Sequence, residues 1–438
     1  MNARAESIVR RLAQAGFTAY YAGGCVRDML LNRPSKDIDI ATNAPPERVQ
    51  ELFERVTDVQ GKVFGVVRVM EGSETFEVAA FRRDGPYLDK RHPVTVTFSS
   101  PEEDARRRDF TINGLFYDPI NRKVIDFVGG EADLAKKTIR AIGKAEERFA
   151  EDHLRLLRAV RFASKLGFEI EPATWSVLCA MATQTRSLAP ERVRDELTGC
   201  FTGDHPQRAL DLLNESGLLA VWLPEVAAQK GVAQPPQFHP EGDVYEHVRL
   251  MLKQMRQPTL ELAWSVLLHD IGKSPAFKVD ETGRIRFNEH ETIGARMAGK
   301  IMQRLRFSND QIEAVTAIIV NHMTFKDAMN MRLSTLKRLL ARPYFEKELE
   351  MHRLDCLCSH EQLDIYHFLV QKKNELGEAQ IKPPPLVTGS DVLALGLKPG
   401  PIVGKILAAI EEEQLEGKLQ SREEALRRLA ELVKATSS

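Results

Sequence analysis

The chain has 438 residues, of which 62 are acidic and 61 basic, and its formal net charge is −1. This length predicts about two to four domains, and the near-neutral charge excludes a global positive field, so nucleic acid would need a local basic surface. No apolar run reaches the roughly 18 residues of a membrane span, a signal-peptide pattern is missing, and the five cysteines are dispersed. We therefore expect a cytoplasmic protein with reduced thiols and no membrane partner.

The first predicted elements are a helix, a strand and a glycine turn. Residues 6–15 place apolar side chains at helical spacing, and FTAYYA is extended before the chain turns at Gly23 and Gly24. A glycine pair lets the backbone approach a triphosphate closely, and the nearby Arg27 is a bidentate phosphate donor. We interpret this turn as a candidate phosphate site.

The next element is the alternating DIDIA, which predicts a strand. Side chains at i and i+2 of a strand share a face, so Asp37 and Asp39 would lie side by side while Ile38 points into the core. Adjacent carboxylates repel unless a cation lies between them, and Mg²⁺ with a nucleotide phosphate fits such a donor set. Taken alone, the pattern more often marks the polar face of an ordinary surface strand.

Two strand-like runs follow, VFGVVRVM and TFEVAAFRR, and the EGSE between them predicts a hairpin. If its second strand lies beside the Asp37 strand, Glu77 would supply a third carboxylate to the same metal. One sequence cannot establish that pairing, so the third ligand depends on the sheet order.

The rest of the chain is predicted to be mainly helical. From about Leu134 onward apolar positions recur every three or four residues, and strand patterns nearly vanish. Consecutive prolines in KPPPL at 382–386 favour an extended segment, which marks off a tail. The sequence therefore predicts an α+β multidomain protein with a mixed N-terminal region.

Four motifs occur in a fixed order: GGCVRDMLL, DIDIAT, RRRDFTINGLFYDP at 106–119 and AEDHLRLLRAVRFASKLGF at 150–168. Together they resemble the class II tRNA nucleotidyltransferases, the family of CCA-adding enzymes and bacterial poly(A) polymerases. The resemblance implies four parts: a polymerase-β-like nucleotidyltransferase head (1–140), an all-α neck that recognises the base (141–205), a helical HD-type body (206–380) and a tRNA-binding tail (381–438).

The resemblance also implies roles for residues of the head. Asp37 and Asp39, with Glu77 as a further candidate, would bind catalytic Mg²⁺ for two-metal phosphoryl transfer. The RRD motif and its neighbour would handle the ribose and phosphates of the incoming nucleotide: Arg107, Arg108, Asp109 and Asn113. The substrates would be CTP, ATP and the 3′ end of tRNA.

The EDHLR element matches the base-recognition motif of that family, and its chemistry follows from donor and acceptor patterns. Cytosine and adenine present an amino donor beside an unprotonated ring nitrogen, so an accepting carboxylate and a donating guanidinium fit them and oppose uracil and guanine. At i and i+3 of one helix, Asp152 and Arg155 would present this pair, with Glu151 orienting the arginine. An intrahelical salt bridge between Asp152 and Arg155 is the alternative interpretation.

Two further arginines, Arg158 and Arg161, continue the same helix and are candidates for phosphate contacts, although Arg161 fits a structural role equally well. The product is predicted from two other segments. RRDGPYLDKRHPVTVTF at 82–98 resembles an intact flexible loop, which favours full CCA addition over CC addition. The charge-mixed C-terminal segment lacks the basic extension of bacterial poly(A) polymerases, so poly(A) or A-only addition stays the alternative.

The helical body carries a second set of candidate ligands around HDIGK, and this set resembles an HD domain. The six residues are His247, His269, Asp270, His290, His322 and Asp355. Imidazole and carboxylate ligands suit divalent transition metals such as Ni, Mn, Co or Fe, and a binuclear centre would activate water for phosphate-ester hydrolysis.

Two alternatives to an active body stay open. The body is either vestigial, structural or RNA-supporting, or the protein is instead an HD phosphohydrolase whose head only binds RNA. The sequence also leaves open whether the chain is a monomer or a homodimer.

Overall fold

A computed structural model describes residues 2–35, 37–58, 65–84, 96–237, 239–240, 242–256 and 258–437. The chain divides into two compact units, Met1–Ala227 and Ala228–Ser438. No helix in the described ranges is long and apolar enough to cross a membrane.

Most strands of the first unit form one sheet. The strands are β1 (Ala19–Ala22), β2 (Asp39–Thr42), β3 (Val56–Asp58), β4 (Val66–Glu71), β5 (Glu74–Ala80), β6 (Arg82–Asp84), β7 (Val96–Phe98), β8 (Phe116–Asp118), β9 (Lys123–Ile125), β10 (Thr138–Ile139) and β11 (Glu169–Ile170). Within the described part of the chain, seven of them lie in the order β3-β4-β5-β2-β1-β8-β9. Strands β2 and β5 are parallel, whereas the other neighbours in this sheet are antiparallel.

The predicted hairpin is confirmed as β4 and β5, which pair antiparallel around Gly72. Alternate residues such as Val67, Val69 and Val78 are buried, which is the period-2 pattern of a strand with one covered face. The glycine has a φ of 64°, a left-handed conformation that side chains with a Cβ rarely adopt. A turn of this kind brings the second strand back along the first and then beside β2.

Helices cover the rest of the first unit. They are α1 (Ala3–Gln14), α2 (Gly24–Leu30), α3 (Pro46–Leu52), α4 (Pro101–Arg106), α5 (Gly130–Ala135), α6 (Ala145–Glu151), α7 (Leu154–Leu166), α8 (Pro172–Met181), α9 (Pro190–Phe201), α10 (Pro206–Glu215), α11 (Leu218–Trp222) and α12 (Pro224–Ala227). Phe81 and Phe116 meet edge to face at 5.8 Å in the core under the sheet. The helix α7 is buried along most of its length, so other elements of the first unit pack around it.

The second unit is almost entirely helical, as the sequence predicts. Its elements are α13 (Val244–Gln254), α14 (Leu260–Leu268), α15 (Lys273–Ala276), β12 (Lys278–Val279), β13 (Ile285–Arg286), α16 (His290–Arg304), α17 (Asn309–Asn321), α18 (Leu333–Leu340), α19 (Phe345–Cys358), α20 (Asp364–Ile381), α21 (Gly389–Ala394), α22 (Pro401–Leu415) and α23 (Arg422–Ser437). The prolines at 383–385 follow the end of α20, where a ring without an N–H cannot continue a helix. The segment after them has its own apolar cluster, which includes Val392, Ile410 and Leu429.

The strand predicted at DIDIA is shorter than its pattern. It begins at Asp39, so Asp37 and Ile38 precede it, and Ile38 is half-buried rather than part of the core. The short bend before the strand frees Asp37 from the alternation that a regular strand would impose.

Candidate active site and candidate metal centre

A cavity of about 470 Å³ opens in the first unit, and we call it the cleft. Seven arginines and three aspartates line it, together with two glycines and Asn113: Gly23, Gly24, Arg27, Asp39, Arg82, Arg107, Arg108, Asp109, Asn113, Asp152, Arg155, Arg158 and Arg192. This excess of guanidinium groups suits a ligand that carries several negative charges, such as a nucleoside triphosphate.

The glycine turn makes room for an arginine. Gly23 has a φ of 71°, and a Cβ at this position would lie 2.5 Å from the Nη1 atom of Arg108. Arg108 donates to the backbone carbonyl of Asn113 at 3.2 Å and pairs with the buried Asp104 at 3.0 Å. Any larger residue at position 23 would displace this guanidinium from the wall of the cleft.

The sheet order answers the question about the third carboxylate. Asp39 of β2 lies directly opposite Glu77 of the parallel strand β5. Desolvation of its carboxylate and the charges of Glu77 and Asp37 raise the pKa of Asp39, while Arg108 opposes them. Carboxylates that repel one another in this way form a donor set that suits Mg²⁺.

The three carboxylates differ in how they are held. Glu77 is paired with Arg68 of β4 at 2.9 Å, so that arginine competes with any metal for its oxygens. In the described part of the chain, the groups of three metal-ligand atoms within 4.8 Å of one another are both in the second unit. That Asp37 and Asp39 together bind a metal therefore stays a prediction.

A series of hydrogen bonds connects Arg27 of α2 with Arg158 of α7. Arg27 donates to Asn113 at 2.7 Å, Asn113 donates to Asp109 at 2.9 Å, and Arg158 pairs with the other oxygen of Asp109 at 2.7 Å. Burial alone would raise the pKa of Asp109, but Arg158 and the hydrogen bonds hold it at about 2. Asp109 is therefore a fixed anion that orders the groups around it.

Phe162 on α7 gathers three of these arginines. The guanidinium carbons of Arg27, Arg158 and Arg161 lie 5.1, 5.2 and 4.5 Å from the centre of its ring. Arg161 is also paired with the buried Glu196 at 2.5 Å. Cation–π contacts of this kind fix the direction of long side chains, and the pairing of Arg161 favours its structural interpretation over a phosphate contact.

The base-recognition motif is not on one helix, and this prediction was wrong. The helix α6 ends at Glu151, Asp152 has extended dihedral angles, and α7 begins at Leu154. The carboxylate of Asp152 accepts from the backbone N–H of Leu154 at 3.0 Å, so it caps the second helix as aspartates commonly do. The break turns Asp152 away from the helical register that its spacing to Arg155 suggests.

The alternative interpretation, an intrahelical salt bridge between Asp152 and Arg155, is also wrong, because each residue pairs with a different partner. Arg192 of α9 holds both oxygens of Asp152, at 2.7 and 3.2 Å. Glu151 holds Arg155 at 2.5 Å, which is the contact that the sequence predicts between these two residues. Arg155 also donates to the carbonyls of Arg148 and Arg107 at 2.8 and 3.2 Å.

Sequence reasoning missed four residues that shape the cleft: Asp104, Phe162, Arg192 and Glu196. Asp104 and Glu196 are buried partners of arginines that the motifs contain, and Arg192 is a half-buried partner of Asp152. The fourth, Phe162, follows Arg158 by four residues and thus lies on the same face of α7. For Arg192 and Glu196 the sequence holds only the run ERVRDE, which looks like an ordinary charged helix.

In the second unit, the structure brings the six predicted HD-type residues together as two groups. His247, His269 and Asp355 form one, and Asp270, His290 and His322 form the other. We call them together the six-ligand cluster. His247 Nε2 lies 3.1 Å from Asp355, and His290 Nε2 lies 3.3 Å from His322 Nε2.

The tautomers of three imidazoles follow from their hydrogen bonds. In His269, His290 and His322 the Nδ1 atom lies 2.9, 2.9 and 2.6 Å from the backbone carbonyl three residues earlier. A carbonyl only accepts, so Nδ1 carries a proton and Nε2 is the atom that faces the cluster. His290 and His322 thus turn their Nε2 atoms toward each other, as two ligands of one cation would.

The carboxylate at the centre of the cluster is kept ionised. Burial would raise the pKa of Asp270, yet His269 and Lys273 hold it well below its usual range. Lys273 Nζ is 2.7 Å from Asp270 Oδ2, although neither buried oxygen makes a hydrogen bond of normal geometry. Burial and His269 lower the pKa of His322 to about 3, which keeps that imidazole neutral. Ionised carboxylate and neutral imidazoles are the ligand forms that a transition metal requires.

Known proteins match this chain along its whole length. A poly A polymerase head domain matches residues 19–140, an RNA- and SrmB-binding site of polymerase A matches 167–230, and a tRNA nucleotidyltransferase domain 2 matches 292–430. The CCA-adding enzyme of Oceanobacillus iheyensis is 46% identical over 211 residues, which cover 48% of this chain and 52% of that relative.

Two longer matches cover nearly all of both chains. The CCA-adding enzyme of Levilactobacillus brevis is 33% identical over 423 residues, 96% of each chain. The crystal structure of the Bacillus stearothermophilus CCA-adding enzyme in complex with CTP covers 99% of this chain and 98% of that chain, with a TM-score of 0.75 and 28% sequence identity.

With a poly A polymerase head domain, an arginine-rich cleft and this overall similarity, the chain is a nucleotidyltransferase. Its identity to the Levilactobacillus relative extends through the second unit as well as the first. The chain therefore belongs to the family of CCA-adding enzymes.

Proposed function

We propose that this protein builds or repairs the 3′-terminal CCA of tRNA from CTP and ATP, with release of pyrophosphate. The observation that carries the proposal is that one cleft holds both the glycine turn with its arginines and the Asp152–Arg155 pair. Phosphate binding and base selection would thus act on the same nucleotide. A tRNA substrate and the absence of disulfides among the described cysteines fit a cytoplasmic location.

The head would position the triphosphate through its arginines. Arg27, Arg107 and Arg108 present guanidinium groups to the cleft beside the open backbone of Gly23 and Gly24. Asp109 and Asn113 hold this set in place through the buried hydrogen bonds that end at Arg158. Asp37 and Asp39 would hold Mg²⁺, which supplies charge stabilisation for phosphoryl transfer when bound.

Base choice would rest on one acceptor and one donor. The carboxylate of Asp152 accepts only, and the guanidinium of Arg155 donates only, so the pair matches cytosine and adenine. Glu151 holds Arg155 through one guanidinium nitrogen, and Arg192 holds Asp152. A carboxylate has about four lone-pair sites, so Asp152 retains acceptor capacity while it is paired with Arg192.

The similar proteins help to choose between CCA addition and the alternative, poly(A) or A-only addition. Those that match over nearly the full length are CCA-adding enzymes, which favours CCA addition over poly(A) or A-only addition. The loop at 82–98 that predicts full CCA addition lies mostly outside the described residues. We keep as proposals the division at 140, 205 and 380 and a tRNA-binding tail at 381–438.

The decisive experiment is a primer-extension assay on tRNA that lacks its 3′ CCA. Labelled CTP alone should give two additions, and CTP with ATP should give three. Incorporation of AMP without prior CMP, or a ladder of many A residues, would instead identify a poly(A) or A-adding enzyme.

The second candidate activity belongs to the six-ligand cluster. We propose that it is an HD-type centre that binds a divalent transition metal (Ni, Mn, Co or Fe) and hydrolyses phosphate esters at nucleotide ends. Its support is that four histidines and two aspartates, nearly all of them buried, lie in two groups whose ligand atoms are within 4.8 Å of one another. Such a metal would activate a water molecule when bound. The proposal adds to nucleotide transfer, since the family membership of the head contradicts a protein that only binds RNA there.

The hydrolase test measures phosphate-ester cleavage of adenosine 2′,3′-cyclic phosphate with each metal in turn. His269→Asn should abolish cleavage and leave CCA addition within about twofold, because the two sites use separate ligand sets. If no metal supports cleavage in the wild-type protein, the cluster is structural.

A further inference from the structure

A two-stranded hairpin joins two parts of the six-ligand cluster. It runs from Phe277 to Phe287, with β12 paired antiparallel to β13, between Lys273 and His290. The carbonyl of Phe287 accepts the Nδ1 proton of His290 at 2.9 Å, so the base of the hairpin is fixed to a candidate metal ligand. The hairpin therefore stands at the edge of the candidate metal centre.

The aromatic residues of this hairpin form a row of neighbouring rings, here called the aromatic step, between the candidate ligand His290 and the exposed Phe277. The ring of Phe287 lies 6.4 Å from the ring of His290 and 6.0 Å from the ring of Phe277. The ammonium of Lys273, which also pairs with Asp270, lies 5.5 Å from the centre of the Phe287 ring. A molecule that touches Phe277 is thus two rings away from the candidate metal ligands.

The outer end of this step is exposed and apolar. Phe277 is 40% exposed and Val279 is 56% exposed. Phe277 ends α15 immediately before β12, and Val279 is the second residue of that strand, so two exposed apolar side chains lie within three residues of one another. An exposed apolar surface next to a buried charged centre suits a ligand that has one flat apolar part and one anionic part.

The charges around the surface select the kind of ligand. Lys278 and Arg284 are exposed on the hairpin, and Arg286 lies on the same strand pair, partnered by Asp280 at 2.9 Å. The hairpin also carries the exposed Glu281, so its three basic residues exceed its two acidic ones, and Lys273 adds a cation at the inner end. Bases stack on aromatic side chains without regard to sequence, and the neighbouring cations suit a phosphate.

We infer that Phe277 stacks the base of a nucleotide whose phosphate lies at the six-ligand cluster, and that Phe277 thereby makes the centre selective for nucleotide ends. This inference rests on the proposed hydrolase function where it is tested by enzyme activity. A binding measurement tests it independently of that function. It assigns Phe277 as a specificity-determining residue that touches the base.

The first experiment compares two substrates in Phe277→Leu, which keeps an apolar side chain but removes the aromatic face. The KM for adenosine 2′,3′-cyclic phosphate should rise about 10-fold, because base stacking is lost. The KM for glycerol 2-phosphate, which has no base, should not change. Phe277→Tyr is the conservative control, and because it keeps an aromatic ring its KM should equal that of the wild-type protein. An equal rise for both substrates would assign Phe277 a structural role and overturn the inference.

The second experiment needs no turnover. In Phe277→Trp the new indole reports on its own surroundings, and the wild-type protein with its three tryptophans supplies the background. Adenosine 2′-monophosphate should quench the added fluorescence, whereas inorganic phosphate should not. Quenching without any hydrolysis would overturn the hydrolase and keep the stacking site. Hydrolysis without quenching, and with an unchanged KM in Phe277→Leu, would keep the hydrolase and overturn the stacking site.

Discussion

The cleft of the head and the six-ligand cluster of the body hold their carboxylates in different ways. Desolvation and the charges of Glu77 and Asp37 raise the pKa of Asp39, and the cleft around it is lined with arginines. Asp270 is buried, yet His269 and Lys273 lower its pKa. We propose that a substrate which brings negative charge and a metal completes the first arrangement. We propose that the second is preformed for a resident ion and needs little from the substrate.

The strongest test of this difference between the cleft and the six-ligand cluster removes one negative charge from the head. Asp39→Asn should reduce CCA addition by at least about 10³-fold, because a metal supplies several kcal/mol of charge stabilisation to phosphoryl transfer. The measurement is incorporation of labelled CTP into tRNA, with circular dichroism to confirm folding. Hydrolysis at the six-ligand cluster should stay at the wild-type level, and a parallel loss of both activities would contradict two independent sites.

Glu77→Gln is the matched variant on the neighbouring strand. Because Arg68 already engages Glu77, we expect a much smaller loss of CTP incorporation than for Asp39→Asn. A loss as large as that of Asp39→Asn would make Glu77 a full metal ligand, as the sequence predicts.

The preformed cluster predicts a difference in metal response. After treatment with a chelator, Ni²⁺ or Mn²⁺ at about 100 times its Kd should stabilise the protein by about 2.7 kcal/mol. For a unit of roughly 200 residues this raises Tm by about 5–10 °C. Mg²⁺ should have little effect, because it prefers oxygen ligands. Differential scanning calorimetry measures the shift.

His322→Asn should abolish this thermal shift, and His352→Asn is its control. His352 is also a buried histidine of the second unit, but it packs against Phe325 and lies near Cys356 instead of joining the cluster. A shift that survives in His322→Asn would place the metal elsewhere.

The open cleft predicts that base choice depends on single hydrogen-bond donors. Arg155→Lys keeps the charge but loses the planar fork. The ratio of kcat/KM for CTP to that for UTP should fall about 10- to 100-fold, because a mismatched polar pair then costs about 1–3 kcal/mol less. The ratio is insensitive to the fraction of folded enzyme, which matters because Arg155 also bonds two backbone carbonyls. Equal losses for CTP and UTP would assign Arg155 to structure alone.

The two regions also differ in how far the sequence predicts them. All six residues of the six-ligand cluster are named from the sequence and lie together in the structure, because histidine and aspartate are recognisable as ligand types; that they bind a metal stays a prediction. The head was predicted less well at Asp152. The spacing of EDHLR fits a helix, and it gives no sign that Asp152 would cap α7 instead of lying within it.

Partners from distant segments are the other part that the sequence could not supply. Arg192 reaches Asp152 across 40 residues, and Glu77 meets Asp39 only because β5 pairs with β2. Both contacts depend on tertiary packing, and a single sequence carries no record of it. Motifs thus predicted which side chains carry the chemistry, whereas the structure was needed to show which side chains hold them.

Arg192 gives the smallest expected effect and the sharpest test of the open cleft. Arg192→Ala removes the bidentate hydrogen bonds to Asp152, whose carboxylate then loses its fixed orientation. We expect about a 10-fold loss of kcat/KM for CTP and ATP, equivalent to about 1.4 kcal/mol, mainly through KM because the base is held less firmly. Arg194→Ala on the same helix is the control, since Arg194 pairs with the exposed Asp195. An increase in kcat/KM for Arg192→Ala would mean that the pair competes with the base for Asp152, and that this carboxylate must be released before a nucleotide binds.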